Sequence, residues 1–179
     1  MIVMKNRVFT AVLGLIMLVN MFGCTRNKND AEKHVEDIST EIQIDISEPI
    51  SSNYGCKKDG FHGDGNLIAQ FKYDSASGKR ITSQIQQSGK WREFPLSENI
   101  NILLYGGNKD GVEYSFDNAK ELGLPHIEHG YYFVHNRNYE AKNIYSDSEI
   151  LDENAYSFNV TTAIYDTDSN ILYYIEIDT

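Results

Sequence analysis

Hydrophobic positions along the chain recur with two spacings, every second residue and every fourth, and polar or glycine-rich stretches separate them. Ile42, Ile44 and Ile46 alternate with Glu41, Gln43 and Asp45, a period that predicts a half-buried strand, and Pro49 ends it. Residues 51–65 (SSNYGCKKDGFHGDG) hold four glycines and predict irregular structure. Leu67, Ala69, Phe71 and Tyr73 then share one parity against Gln70 and Lys72, which predicts a second strand. Residues 74–78 predict a turn. Residues 79–88 predict a short helix, since Ile81 and Ile85 are four apart and Gly89 stops it.

Trp91, Phe94 and Leu96 form an irregular apolar patch leading into a predicted strand over residues 100–105. Gly106, Gly107, Asp110 and Gly111 then predict a hairpin loop. A brief helix is expected over 118–122, closed by Gly123 and Pro125, and a strand over 131–135. Residues 136–154 are polar and poorly periodic and predict a mobile, solvated excursion. The clearest signal comes last. Tyr156, Phe158, Val160, Thr162 and Ile164 alternate with Ser157, Asn159, Thr161, Ala163 and Tyr165, residues 166–170 turn, and Ile171, Tyr173, Ile175 and Ile177 return on the matching parity. That is a β-hairpin with one buried face. The predicted fold is α+β and strand-dominated: an antiparallel sheet of five or six strands with one or two short helices.

Charge narrows the partners. Sixteen basic residues face 26 acidic ones, a formal net charge of −10. A surface of that sign repels phosphate, so nucleic acid is excluded as an expected partner.

The first residues carry an address. Lys5 and Arg7 precede an uncharged stretch, residues 8–22 (VFTAVLGLIMLVNMF), and Gly23 and Cys24 follow. A basic start, an apolar run of this length and a small residue before the cut define a secretory signal peptide. Met21-Phe22-Gly23-Cys24 resembles the lipobox of bacterial lipoproteins. The resemblance implies that Cys24 is lipidated, with acyl chains such as palmitate, and that the chain is cut before it. It also implies a domain held on the membrane and facing outside the cytoplasm. The rival reading is an uncleaved anchor. Residues 8–25 would span roughly 27 Å as a helix, just short of a hydrocarbon core of about 30 Å.

On the lipobox reading, residues 1–23 are the signal peptide. Residues 24–37 are the lipidated cysteine and a flexible polar tether, and residues 38–179 are a single α+β domain. Loss of Lys5 and Arg7 takes the formal charge from −10 to −12. With Cys24 lipidated, Cys56 is the remaining cysteine, and no intrachain disulfide can form. A second resemblance rests on Gly60-Phe-His-Gly-Asp-Gly65, Trp91-Arg-Glu-Phe-Pro-Leu-Ser-Glu-Asn99, Leu104-Tyr-Gly-Gly107 and Ala163-Ile-Tyr-Asp-Thr-Asp168. These look like small bacterial lipoproteins of unknown function, over residues 59–179. The likeness implies a shared fold and no catalytic residues.

Several constellations bear on chemistry. Asp59, His62 and Asp64 lie on a glycine-rich backbone, and His126 and His129 follow in a loop. His62 and Asp64 with His126 or His129 could assemble a zinc site. The alternative is that Asp59 and Asp64 form Asx turns while His62 packs, and no cofactor is expected on that reading. Asp166, Asp168 and Asn170 open like a calcium loop, but Ile171 and Ile177 stand where that loop needs Gly and Glu, so a hairpin turn is expected. No nucleophile elbow occurs, and Asp147, Glu149, Asp152 and Glu153 are expected as solvated surface. Trp91, Tyr105, Tyr131, Tyr132, Tyr165, Tyr173 and Tyr174 could form a binding platform. Tyr165 and Tyr174 lie on the outward parity of the last hairpin.

These residues support three readings. The first is a non-enzymatic, lipid-anchored extracytoplasmic domain that binds a protein or cell-wall partner through a sheet face or the glycine-rich loop. The second is a metal-dependent extracytoplasmic enzyme using the His/Asp set. The third is an immunity or exclusion lipoprotein.

Overall fold

The computed structural model describes residues 28–58, 65–138, 141–151 and 158–178, excepting the side chains of 28–33 and 56–58. The chain divides into two units, Met1–His34 and Val35–Thr179. Of the first, only the opening of a helix is described; the second holds the sheet. The terminal hairpin forms as its alternation predicts: β7 (Asn159–Asp166) pairs with β8 (Ile171–Asp178), with Val160 opposite Ile177, Thr162 opposite Ile175 and Ile164 opposite Tyr173. Four more strands extend it: β1 (Ser51–Lys58), β2 (Gly65–Lys72), β3 (Arg92–Glu93) and β6 (Gly130–Asn136). The order is β1-β2-β8-β7-β6-β3 and every pairing is antiparallel. A separate two-stranded sheet joins β4 (Gly107–Lys109) to β5 (Val112–Tyr114). The described helices are α1 (Lys28–Ile42), α2 (Ser75–Ser88), α3 (Glu98–Tyr105) and α4 (Asn118–Glu121). The fold is therefore α+β and strand-dominated, as the pattern predicts.

The sheet is buried on both faces, not one. On the first face Tyr132, Val134, Val160, Ile164, Tyr173 and Ile175 pack under Ile100, Leu103 and Leu104 of α3, Ala119 of α4, and Leu124, Ile127, Ile150 and Leu151. On the second, Ala69, Phe71, Phe133, Ala163, Tyr165, Leu172 and Tyr174 pack under Ile38 and Ile42 of α1, Ile81 and Ile85 of α2, Ile44, Ile46 and Trp91. A central strand flanked by two layers carries apolar side chains on both parities. This overturns the outward placement of Tyr165 and Tyr174, which are 0% and 4% exposed.

Other elements also differ from their predicted form. The stretch read as a tether is helical from Lys28, and α1 continues to Ile42. Gln43 then takes a positive φ of 59°, and Ile44 and Ile46 run on without a strand partner. Their backbone is held instead by side chains: the Ile46 N–H donates to Ser39 Oγ at 3.2 Å and the Asp45 N–H to Gln84 Oε1 at 2.8 Å. The alternation here set which residues are buried and did not set a ladder. Residues 51–58, expected to be irregular, form the edge strand β1, which pairs along its whole length with β2. An edge strand is specified by backbone pairing more than by apolar side chains.

The predicted turn at 74–78 is the start of α2. Asp74 is its N-cap, accepting from the Ser77 N–H at 2.7 Å, which satisfies one of the free donors of the first turn. Gly89, at φ 64°, closes the helix as predicted. Residues 100–105 are helix, not strand. Ser97 caps α3, and Asn99, Ile100, Ile102, Leu103 and Leu104 are all buried. A helix enclosed nearly all round shows no amphipathic period, so a short apolar run of this kind is ambiguous from sequence. In the β4–β5 hairpin Asp110 and Gly111 both have positive φ, 51° and 83°, as a type I′ turn requires. The predicted loop therefore contains the first strand of the hairpin.

Candidate functional site

The polar stretch after β6 is not a solvated excursion. The Asn136 N–H donates to the Ile144 carbonyl at 2.7 Å, and Asp147, Ile150 and Leu151 are buried. Asp147 is the centre of a network. Its Oδ1 accepts from Arg92 Nη1 at 2.8 Å, its Oδ2 from the Ser97 hydroxyl, and its carbonyl from Asn99 Nδ2 at 2.7 Å. Arg92 also donates to the Tyr145 carbonyl at 2.9 Å, and Lys109 Nζ to Asn99 Oδ1 at 2.5 Å. Burial alone would raise the Asp147 carboxyl, but hydrogen bonds from Ser97 and Arg92 outweigh it and hold the group below the usual carboxylate range. The network ties β3, the start of α3, the β4–β5 hairpin and the 143–151 segment together. It positions these segments.

A second polar group lies at one end of the other face. His135, Thr161 and Glu176 stand in one row across β6, β7 and β8. His135 Nδ1 contacts the Glu41 carboxylate at the end of α1, and the Tyr174 hydroxyl donates to Glu176 Oε1 at 2.6 Å. A half-buried His–carboxylate pair has the chemistry of a proton acceptor. Here Gln43 and Tyr145 lie against it, with Tyr145 beside the His135 ring and Gln43 Nε2 donating to the Tyr145 hydroxyl at 2.5 Å.

Two open grooves among the described residues differ in character. One, of about 390 Å³, runs between α2 and the β7–β8 turn and is lined by Ser75, Lys79, Thr82, Ser83, Gln86, Thr167 and Asn170 over Gly78. The other, of about 500 Å³, lies where α3 ends and the β4–β5 hairpin begins. Tyr105, Asn108, Glu113, Tyr114, Ser115, Phe116 and Asp117 line it, and the rings of Tyr114 and Phe116 pack toward the core, Phe116 meeting Phe158 edge-on. Gly106 makes this groove possible. It has φ 74°, and a Cβ there would lie 2.8 Å from the carbonyl oxygens of both Tyr114 and Phe116. Only a residue without a side chain lets the chain after β5 close on the end of α3.

Of the expected metal-site residues, only His126 and His129 fall among the described residues. Cys24, Asp59, His62 and Asp64 lie outside the described residues. His126 is exposed in the loop before β6. His129 is 68% exposed, and its Nδ1 meets Asp168 Oδ2 at 2.9 Å, a contact that raises its pKa. Among the described residues no three His, Cys, Asp or Glu side chains are grouped so as to hold a metal ion. Residues 166–170 form the expected hairpin turn, with Asp166 accepting from the Asp168 and Ser169 N–H groups at 2.9 and 3.3 Å.

Asp147, expected as solvated surface, is instead the buried ion-pair partner of Arg92. The aromatic platform dissolves: Trp91, Tyr132, Tyr165, Tyr173 and Tyr174 are core, and Tyr131 is half-buried. Tyr105 alone of those seven is exposed, at 39%. The sequence pattern does not single out its neighbours Glu113, Tyr114, Phe116 and Asp117, though the Gly106-Gly107 pair beside it marks a close backbone approach. No protein-family model, no curated protein and no solved structure matches this chain.

Proposed function

We propose that this protein is a lipid-anchored binding domain displayed outside the cytoplasm, with its ligand site in the groove at Tyr105. Anchoring follows from the lipobox-like Met21-Phe22-Gly23-Cys24, with Cys24 as the modified residue and the domain facing outward. Binding is carried by one observation. The exposed Tyr105 ring opens onto a groove of about 500 Å³ furnished with aromatic, amide and carboxylate groups, the combination that tethers an apolar body and orients a polar one. The central strands of the sheet are covered on both faces and leave less room for such a role.

The experiment has two arms. Metabolic labelling with palmitate should mark the wild-type chain and not Cys24→Ser, and the wild-type chain should be digested by protease added outside intact spheroplasts. A photoreactive phenylalanine placed at Tyr105 should give a discrete crosslink on intact cells, while the same group at the exposed Ile144 gives none. Unlabelled wild type overturns the anchor. Equal crosslinking at both positions, or none, overturns the groove.

A further inference from the structure

We infer that two copies of this chain join at the outer edge of β1, strand against strand and antiparallel about a two-fold axis. The six-stranded sheet treats its two edges differently. At the far edge β3 pairs with Tyr131 and Tyr132 of β6, the Phe94 N–H donates to the Gly130 carbonyl at 3.0 Å, and the Asn136 N–H to the Ile144 carbonyl at 2.7 Å. That edge is covered near both of its ends. β1 pairs with β2 over all eight of its residues in one unbroken register, and among the described residues no strand lies on its other side. Every second residue of β1 therefore turns its N–H and C=O outward. Such an edge is a template for another strand unless proline, a bulge or charge blunts it. Residues 51–56 (SSNYGC) contain no proline and no charge, and Ser51, Ser52, Asn53 and Gly55 are exposed.

Two observations select a second copy as the occupant. The first is the order of charge along the edge. Glu48, exposed, precedes β1, and Lys57 and Lys58 end it, while Lys72 of β2 stands one strand further from the joint. Antiparallel self-pairing sets the basic end of each strand beside the acidic approach of the other, twice by symmetry, and unlike charges across a strand pair stabilise it. Parallel self-pairing would set lysine against lysine. The register that brings Lys58 level with Glu48 puts the axis at Asn53, an uncharged residue that meets its own copy. The second observation is Ile50, 62% exposed at the entry to β1, with its N–H tied to the Lys72 carbonyl at 2.8 Å. In the same register the partner strand runs past Ile50 at both ends of the joint and takes it out of water. One strand pair is a small interface, so the association is weak and concentration-dependent.

The test uses the full chain, in detergent and in membranes. Sedimentation over a concentration series should show monomer passing to dimer. Single cysteines are then placed at Ser51, Asn53 and, on the exposed surface of α2, Ser83, each with Cys56→Ser and with Cys24 kept. On oxidation in membranes the dimeric disulfide should be strongest for Asn53→Cys and weaker for Ser51→Cys. Only residues beside the axis bring their own copies within the Cα separation of about 4.4–6.8 Å that a disulfide needs. Ser83→Cys and the chain without an added cysteine should give the collisional background. Asn53→Lys should weaken association about fivefold by setting like charges across the axis. Glu48→Lys should weaken it by about the same factor, and adding Lys57→Glu and Lys58→Glu should restore it, which damage to the strand alone could not do. Asn53 and Glu48 are exposed, and unchanged urea midpoints verify that their variants fold. Monomer at every concentration, equal crosslinking at Asn53 and Ser83, or a dimer indifferent to Asn53→Lys overturns the inference. A crosslink from Asn53→Cys to a different protein in place of a second copy overturns it too, and makes the edge a site for a foreign strand.

Discussion

The two layers that close the sheet are fastened by different chemistry. Under α1 and α2 the fully buried polar ties are neutral donors on aromatic side chains, each reaching a backbone carbonyl, and the ion pairs, Arg80 with Asp45 and His135 with Glu41, lie at the layer's margin. The Tyr73 hydroxyl donates to Ile46 at 2.8 Å, the Trp91 indole to Ile42 at 3.0 Å and the Tyr165 hydroxyl to Gly78 at 3.2 Å. Under α3 the central tie is ionic, Arg92 with Asp147, reinforced by Ser97 and Asn99. A ring can be buried whole and still satisfy its one polar tip, which suits a layer of regular helices lying flat on strands. The α3 layer is assembled from a short helix, a small hairpin and irregular chain. A multivalent carboxylate can bind three segments at once where a single hydroxyl cannot. The groove at Tyr105 belongs to that second layer, so the ionic tie underlies the site while the aromatic ties do not.

The strongest way to break this contrast is to remove apolar volume from the aromatic layer, where the polar ties should not compensate. Phe71 is fully buried there and meets Tyr54 edge-on, with centroids 5.7 Å apart. Phe71→Ala should cost about 4 kcal/mol, measured as a drop in the urea midpoint with little change in slope. Because the two layers share β2, β6, β7 and β8, the transition should remain single. A biphasic curve would mean the layers unfold separately.

Asp147→Asn probes the other layer and should cost about 2 kcal/mol, less than a wholly buried pair, because Arg92 is 37% exposed while Asp147 is 13%. Its pH dependence distinguishes it. The folded-state pKa of Asp147 is lowered from an ordinary value of 3.8. Its contribution is therefore complete at neutral pH, begins to fade as pH falls toward that ordinary value, and is lost as pH passes below the folded one. Wild type should lose stability through this window more steeply than Asp147→Asn, followed by urea midpoints from about pH 7 down to about pH 3. Parallel curves would show that Asp147 is not the acid-sensitive tie.

How far such features can be read from sequence depends on whether their partners are local. The β7–β8 register was legible because strand parity and turn lie within one continuous stretch. Even there, the second buried face was written in β8 (ILYYIEID), where Leu172 and Tyr174 are as apolar as Ile171 and Tyr173. What was missing was knowledge of a layer formed by α1 and α2. Residues 38–46 gave the burial of Ile42, Ile44 and Ile46 correctly and their hydrogen bonding incorrectly, since alternation in one chain says nothing of whether a neighbour strand exists. Asp147 had no local mark at all: Arg92, Ser97 and Asn99 stand 55, 50 and 48 residues away. Of the groove, Tyr105 was legible as an aromatic beside two glycines. Glu113 and Asp117 were not, because the turn that brings them to it depends on the conformation of Gly106.

The smallest expected effect sharpens the contrast from the neutral side. Tyr73 is buried, and desolvation raises its phenol far above the ordinary value of 10.0, so the hydroxyl stays protonated wherever the protein is folded. Tyr73→Phe removes one hydrogen bond, to the Ile46 carbonyl, without opening a cavity, and should cost about 1 kcal/mol. A group whose acid is weakened by folding contributes its stability in full below the unfolded pKa and loses it only as pH rises beyond that point. The cost should therefore be the same at about pH 3 and about pH 8, where the cost of Asp147→Asn differs. Urea midpoints for both variants at both pH values make the comparison directly. Constant Tyr73→Phe beside shrinking Asp147→Asn establishes that the buried tie tested in one layer is neutral and that in the other charged. A Tyr73→Phe cost that itself changes with pH would show the aromatic layer coupled to a titrating group, with Asp45, which pairs with Arg80 at 2.6 Å beside the same segment, as the first residue to replace.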